Sequence, residues 1–115
     1  MRRVFMLALL AATAFAADIS GAWDFTVETQ AGSGNPAFTF KQDGEKLTGT
    51  YKGLFGEAAV TGSVKGDKVE FSFEASREGQ SVKNRYRGTV EGGTKMKGEA
   101  ELGELGKATW TAVKK

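Results

Sequence analysis

Two polar side chains, Tyr51 and Asn84, fall in step with large apolar residues in segments that otherwise alternate between apolar and polar. Tyr51 closes the series Leu47, Gly49, Tyr51 in "KLTGTYKG", and Asn84 stands between Val82 and Tyr86 in "SVKNRYRG". In a strand, residues two apart share a face, so a phenol and an amide are directed inward with Phe73, Ala75, Val82 and Leu102. The chemistry open to such groups is orientation: a few hydrogen-bonding atoms in an apolar concavity fix the pose of a small molecule. Phe55, at the tip of "KGLFGE" between two glycines, is placed to cap that concavity. The candidate ligand-binding residues are therefore Tyr51, Phe55, Phe73, Ala75, Val82, Asn84 and Leu102.

Bond-making chemistry finds little to use. Histidine and cysteine are both absent, which removes the commonest general base, the commonest metal ligand, the usual zinc sites and the Ser/His/Asp and Cys/His nucleophile systems. The carboxylates fall on the outward parity or in loops, with no convergent acid and base. No enzyme activity, cofactor or metal site is expected. Without cysteine there is also no disulfide framework, so the core alone must hold the fold.

The elements that position these residues are strands. From Gly21 onward, period-two alternation is nearly continuous and predicts strands at 21–29, 36–42, 45–52, 57–65, 68–75, 80–91, 94–102 and 106–113. Asp43-Gly44, Gly66-Asp67 and Gly92-Gly93-Thr94 read as tight hairpin turns; "AGSGNP", "GLFG", "SREG" and "GELG" are longer connections. Tight and long connections alternate, so the tight turns gather at one end with the termini and the long loops at the other. Trp23, Phe25, Phe38, Phe40, Tyr51, Phe71, Phe73, Tyr86 and Trp110 all take the inward parity. No helix is available to cover that face, so the sheet must close on itself or fold into a sandwich. The short consecutive hairpins favour an all-β, eight-stranded antiparallel up-and-down meander barrel, a single domain spanning 18–115.

Glycine recurs on the inward face, at Gly49, Gly62, Gly88 and Gly98, where it weakens a strand. Matching faces across each hairpin sets Phe38 opposite Gly49, Phe71 opposite Gly62 and Trp110 opposite Gly98, with Gly88 facing Gly98. The missing side chains would then leave room for rings and permit the coiling of a small barrel, or mark bulges. Outside, the same registers set Asp24 beside Lys41, Glu70 beside Arg87, Glu74 beside Lys83 and Arg87 beside Glu99. Near the long loops the inward residues include Ala58, Ala75, Ala100 and Ala108, small enough to leave a cavity at the mouth or simply to accommodate neighbouring rings in a solid interior.

The N-terminal "MRRVFMLALLAATAFAAD" has two arginines, a short apolar run and an Ala-x-Ala exit, the signature of a secretory signal peptide over 1–17. The apolar run is well short of the ~20 residues that span a membrane. The full chain carries 16 basic and 14 acidic residues; loss of Arg2 and Arg3 leaves a neutral mature domain, exported to the periplasm or beyond the cell. That neutrality, and the glutamates interleaved with Lys83, Arg85, Arg87, Lys95 and Lys97, do not suit a nucleic-acid partner.

"ISGAWDF" and "LTGTY" at 47 to 51 resemble the first strands of avidin-like barrels, and Gly21-x-Trp23 is similar to the opening motif of lipocalins. The resemblance implies a calycin-like barrel of the small secreted bacterial kind. It also departs from the biotin-binding pattern. Phe25 stands where a polar residue follows the first-strand Trp in biotin binders, the later-strand tryptophans are reduced to Trp110, and "KATWTAV" offers no inward Arg or Lys of the lipocalin type. Two functional expectations follow. One is a non-catalytic carrier of a small apolar or amphipathic molecule held in the mouth. The other is a protein-interaction module, an inhibitor or accessory subunit, using loops 31–36, 53–57, 76–80 and 103–105 with Phe55 and Arg77 as anchors.

Overall fold

The computed structural model describes residues 18–53, 56–77, 79–103 and 106–115, with the side chains of Arg77 and Gln80 excepted. The proposed leader at 1–17, the Phe55 cap and the Arg77 side chain lie outside the described residues. Nine strands follow in chain order: β1 (Gly21–Thr29), β2 (Gly32–Gly34), β3 (Ala37–Asp43), β4 (Lys46–Gly53), β5 (Gly56–Lys65), β6 (Lys68–Arg77), β7 (Gln80–Glu91), β8 (Lys95–Leu102) and β9 (Lys107–Lys114). From β3 to β9 each strand pairs antiparallel with the next, and β1 pairs with both β3 and β9. The sheet thus closes into the eight-stranded up-and-down barrel that the alternation predicts, with β2 as an extra short strand. Closure runs from Trp23↔Lys114 to Glu28↔Thr109.

Alternation dictates which face goes in. All nine inward aromatics are buried, Trp23 completely. All but Trp23 join one connected cluster of rings: Phe25 stacks on Trp110 at 4.9 Å, Phe38 lies 4.3 Å from Phe25, and Phe71 stacks on Tyr86 at 5.1 Å. Such pairs add about 0.5–1.5 kcal/mol each beyond the area they bury. The outward face carries Asp24, Glu28, Lys41, Lys52, Glu57, Lys68, Glu70, Lys83, Arg85 and Arg87, all exposed. Val113 is the one large hydrophobic exposed among the described residues. No helix among them is long and apolar enough to cross a membrane, and this charged exterior is the inverse of the apolar belt that a membrane barrel turns to lipid.

Two registers differ from expectation. Gly49 faces Phe40, and Phe38 faces Tyr51, because the β3–β4 loop is Gly44-Glu45 rather than Asp43-Gly44. Gly44 adopts φ +64° as the first loop residue, the same place that Gly66, at φ +61°, takes in the β5–β6 loop. The one-residue shift of the loop slides the pairing by two. Asp24 faces Ala37, not Lys41, since the upper half of β1 leaves β3 and pairs with β2 instead; the Asp24 carboxylate lies 3.8 Å from Lys115 Nζ. The pairs Glu70↔Arg87, Glu74↔Lys83 and Arg87↔Glu99 are opposed as predicted.

The inward glycines make room mainly for backbone. A Cβ on Gly62 would collide with Glu70 O and stand 2.6 Å from Phe71 Cα and Cβ; one on Gly49 would meet Thr39 O, and one on Gly98 would meet Arg87 O and the Gly88 Cα. At these places a neighbouring strand's backbone comes too close for a Cβ, as the coiling of a small barrel requires. A ring is the added reason at Gly88, where a Cβ would come 2.7 Å from Trp110 Cζ2. Trp110 lies across the Gly88–Gly98 pair, and its Nε1–H donates to Glu99 O at 3.0 Å.

The tight-turn end is closed by Ile19, fully buried just ahead of β1. Its carbonyl accepts from Trp23 Nε1 at 2.9 Å, its N–H donates to Gln42 Oε1 at 2.9 Å, and Gln42 N–H donates to Ser20 Oγ at 3.0 Å.

Candidate functional site

At the opposite end the barrel is not filled. A cavity of about 320 Å³ opens there, lined by Val27 and Thr29 of β1, the segment 31–36, Tyr51 and Gly53 of β4, Phe73 of β6, Asn84 and Tyr86 of β7, and Leu102 of β8. Its volume lies at the small end of ligand sites. No charged side chain lines it among the described residues.

Each wall follows from the alternation below it. Tyr51 and Phe73 stack at 4.2 Å with an interplanar angle of 19°, and Phe73 lies 5.8 Å from Tyr86, giving one side of the cavity a continuous aromatic surface. The phenol end of Tyr51 rests over Gly53 and beside Pro36: a Cβ on Gly53 would stand 2.5 Å from the Tyr51 oxygen and 3.1 Å from Pro36 Cβ. Burial holds the Tyr86 phenol well above its ordinary pKa, and the neighbouring Tyr51 pushes the same way. Tyr86 therefore stays protonated at neutral pH, able to donate a hydrogen bond.

The roof is the β1–β3 connection. Where the sequence predicts a loop there is a three-residue strand, β2, which has only Gly, Ser and Gly and is made by backbone pairing, Val27↔Gly34 to Thr29↔Gly32. Side chains pin it. Thr29 Oγ1 donates to Gly32 O at 3.0 Å and accepts from Ala31 N–H at 3.0 Å, Asn35 Nδ2 donates to Thr26 Oγ1 at 3.3 Å, and Phe25 N–H donates to Pro36 O at 3.0 Å. A roof with so many fixed points is held in one arrangement over the mouth.

Of the residues proposed from sequence, Tyr51, Phe73, Asn84 and Leu102 come together on this cavity. Ala75 and Val82 face each other across β6 and β7 but are not among its described lining, and Val82 packs where a Cβ on Gly103 would be. The alanines at 58, 100 and 108 are not in the described lining either; Ala100 and Ala108 are directly paired. Tyr86, Val27 and the roof itself belong to the site. Tyr86 was legible as an inward residue, whereas the roof has no alternation to reveal it.

Asn84 is the unusual wall residue. It is fully buried and, tyrosine and tryptophan apart, is the one polar side chain in the core among the described residues. Its Nδ2 donates to Val82 O at 3.3 Å, and its Oδ1 has no hydrogen-bond partner among the described residues. Buried acceptors are rarely left so.

The chain is thus a closed up-and-down β-barrel with a roofed apolar cavity at one mouth. Solved structures share that fold: a redesigned β-barrel at TM-score 0.69 and 17% identity, covering 84% of this chain and 91% of that one; EF1p2_mFAP2b bound to DFHBI, at 0.63 and 15%, covering 84% and 94%; and the redesigned barrel mFAP1 bound to DFHBI, at 0.61 and 14%, covering 84% and 94%. At such identities the likeness is one of fold. No protein-family model matches the chain, and no curated protein does.

Proposed function

We propose that this is an exported, non-catalytic barrel of calycin-like type that binds a small apolar or amphipathic molecule in the roofed mouth. The observation that carries the reading is the cavity itself: about 320 Å³, walled by Tyr51, Phe73, Tyr86, Val27 and Leu102, in a barrel whose other end is closed by Ile19. Apolar enclosure supplies affinity, and the few polar atoms supply orientation. That barrels of this fold, mFAP1 and EF1p2_mFAP2b, are bound to DFHBI supports the same use of the architecture.

A blocking variant tests it. Gly34 faces Val27 across β1 and β2, so a side chain at 34 points with Val27 into the mouth, and its Cβ would have no described atom within 4 Å. Gly34→Trp should leave the barrel folded and fill the cavity. Wild type should take up the neutral fluorescent probe N-phenyl-1-naphthylamine saturably, and Gly34→Trp should not. Equal uptake by both, with folding intact, would place binding elsewhere. No uptake by wild type would favour the interaction module acting through the loops.

A further inference from the structure

Resting on that reading, we infer that the ligand is a neutral aromatic molecule carrying an N–H or O–H donor, and that Asn84 Oδ1 is the atom that receives it. Three observations converge. The cavity has no charged side chain in its described lining, so an ionic group brought inside would lose its hydration without a counter-charge. Its wall is a run of rings, Tyr51, Phe73 and Tyr86, against which an aromatic ligand packs edge-on or offset. Asn84 lines the same space and carries the unpartnered acceptor.

The orientation of the amide follows from its one bond. With Nδ2 donating to Val82 O, the other end of the side chain is the carbonyl, and what reaches it must be a donor. A core that needed only volume at position 84 would be served by Leu, as at Leu102, with no buried acceptor to satisfy. An acceptor without a protein partner discriminates: a ligand with a matching donor satisfies it, and an isostere without one leaves the desolvation penalty standing.

Indole and benzofuran test this, being of nearly the same shape and differing in that N–H is replaced by a ring oxygen. Amide NMR titration of the wild-type protein should show both entering the mouth, with indole binding about tenfold tighter. The side-chain 13C carbonyl resonance of Asn84 should shift with indole and stay in place with benzofuran. In Asn84→Leu the preference should vanish or reverse while benzofuran still binds. Should that variant fail to fold, the wild-type carbonyl shift alone decides. Equal affinities with an unmoved Asn84 resonance would overturn the donor inference and leave the cavity reading standing, a water then being the partner of Oδ1. If neither compound perturbs the mouth residues, the binding reading falls and this inference with it.

Discussion

Gly62→Ala isolates the reason for the inward glycines. The added methyl would overlap Glu70 O and sit 2.6 Å from Phe71 Cα and Cβ, where carbon atoms prefer about 3.5–4.0 Å. These are main-chain atoms or the first side-chain carbon, none of which can rotate away. β5 and β6 must therefore part by about 1 Å at that point, and overpacking of this kind costs about 1–3 kcal/mol. Gly34→Ala is the matched control, another strand glycine, with open space around its Cβ. There the loss of unfolded-state freedom should stabilise by about 0.4–1 kcal/mol. In urea, with a slope of about 1–3 kcal/mol per M for a small protein, the Gly62→Ala midpoint should fall by about 1 M and that of Gly34→Ala should rise slightly. A Gly62→Ala midpoint at or above wild type would refute the close-approach account. If Gly62 merely made room for the Phe71 ring, moreover, Phe71→Leu would restore the loss; contact with backbone predicts no rescue.

Trp23→Phe should cost about 1–3 kcal/mol by urea unfolding, because it removes the donor to the buried Ile19 carbonyl and leaves that acceptor unpaired; amide exchange at Ile19 should accelerate with it. Tyr86 gives the pH dependence. Its folded-state pKa lies above that of the unfolded chain because burial disfavours the phenolate, so its contribution is fully present below about pH 10 and is lost as pH rises beyond that value. The wild-type stability curve should therefore fall above about pH 10 more steeply than that of Tyr86→Phe, and parallel curves would refute the assignment.

The barrel was legible because each of its strands repeats one instruction. Nine aromatics at even spacing, with charges between them, leave a single face to bury, and a wrong register cannot hide it. Register itself depends on one residue in a turn. Reading the loop as Asp43-Gly44 rather than Gly44-Glu45 leaves every face correct and every partner on β3 and β4 displaced by two. β2 escaped because Gly32-Ser33-Gly34 has no side-chain pattern; its pairing is made by peptide groups that every sequence possesses. The role of Gly62 escaped for a related reason: the letter code shows that a Cβ is missing, but the Glu70 carbonyl that takes its place comes from the coiling of the sheet. In the site, Tyr51 and Asn84 were visible as polar residues out of place. Tyr86, equally inward, was hidden among the core rings, and Ala58, Ala75, Ala100 and Ala108, expected either to leave a cavity or to accommodate rings, lie outside the described lining.

Closure between β1 and β9 makes the order of strands a ring. Each barrel strand has two neighbours, and no position around the circumference is first or last except by the accident of where the chain begins. The ends of the described chain meet at this seam, where Lys115 N–H donates to Ala22 O at 2.9 Å. A short linker from Lys115 to Asp18 with new ends cut at Gly66-Asp67 would keep every ladder while replacing the most distant pairing in sequence by a hairpin. Such a circular permutant would reach the same barrel from a different starting strand, with the β1–β9 seam now a local contact and the β5–β6 pair the most distant in sequence.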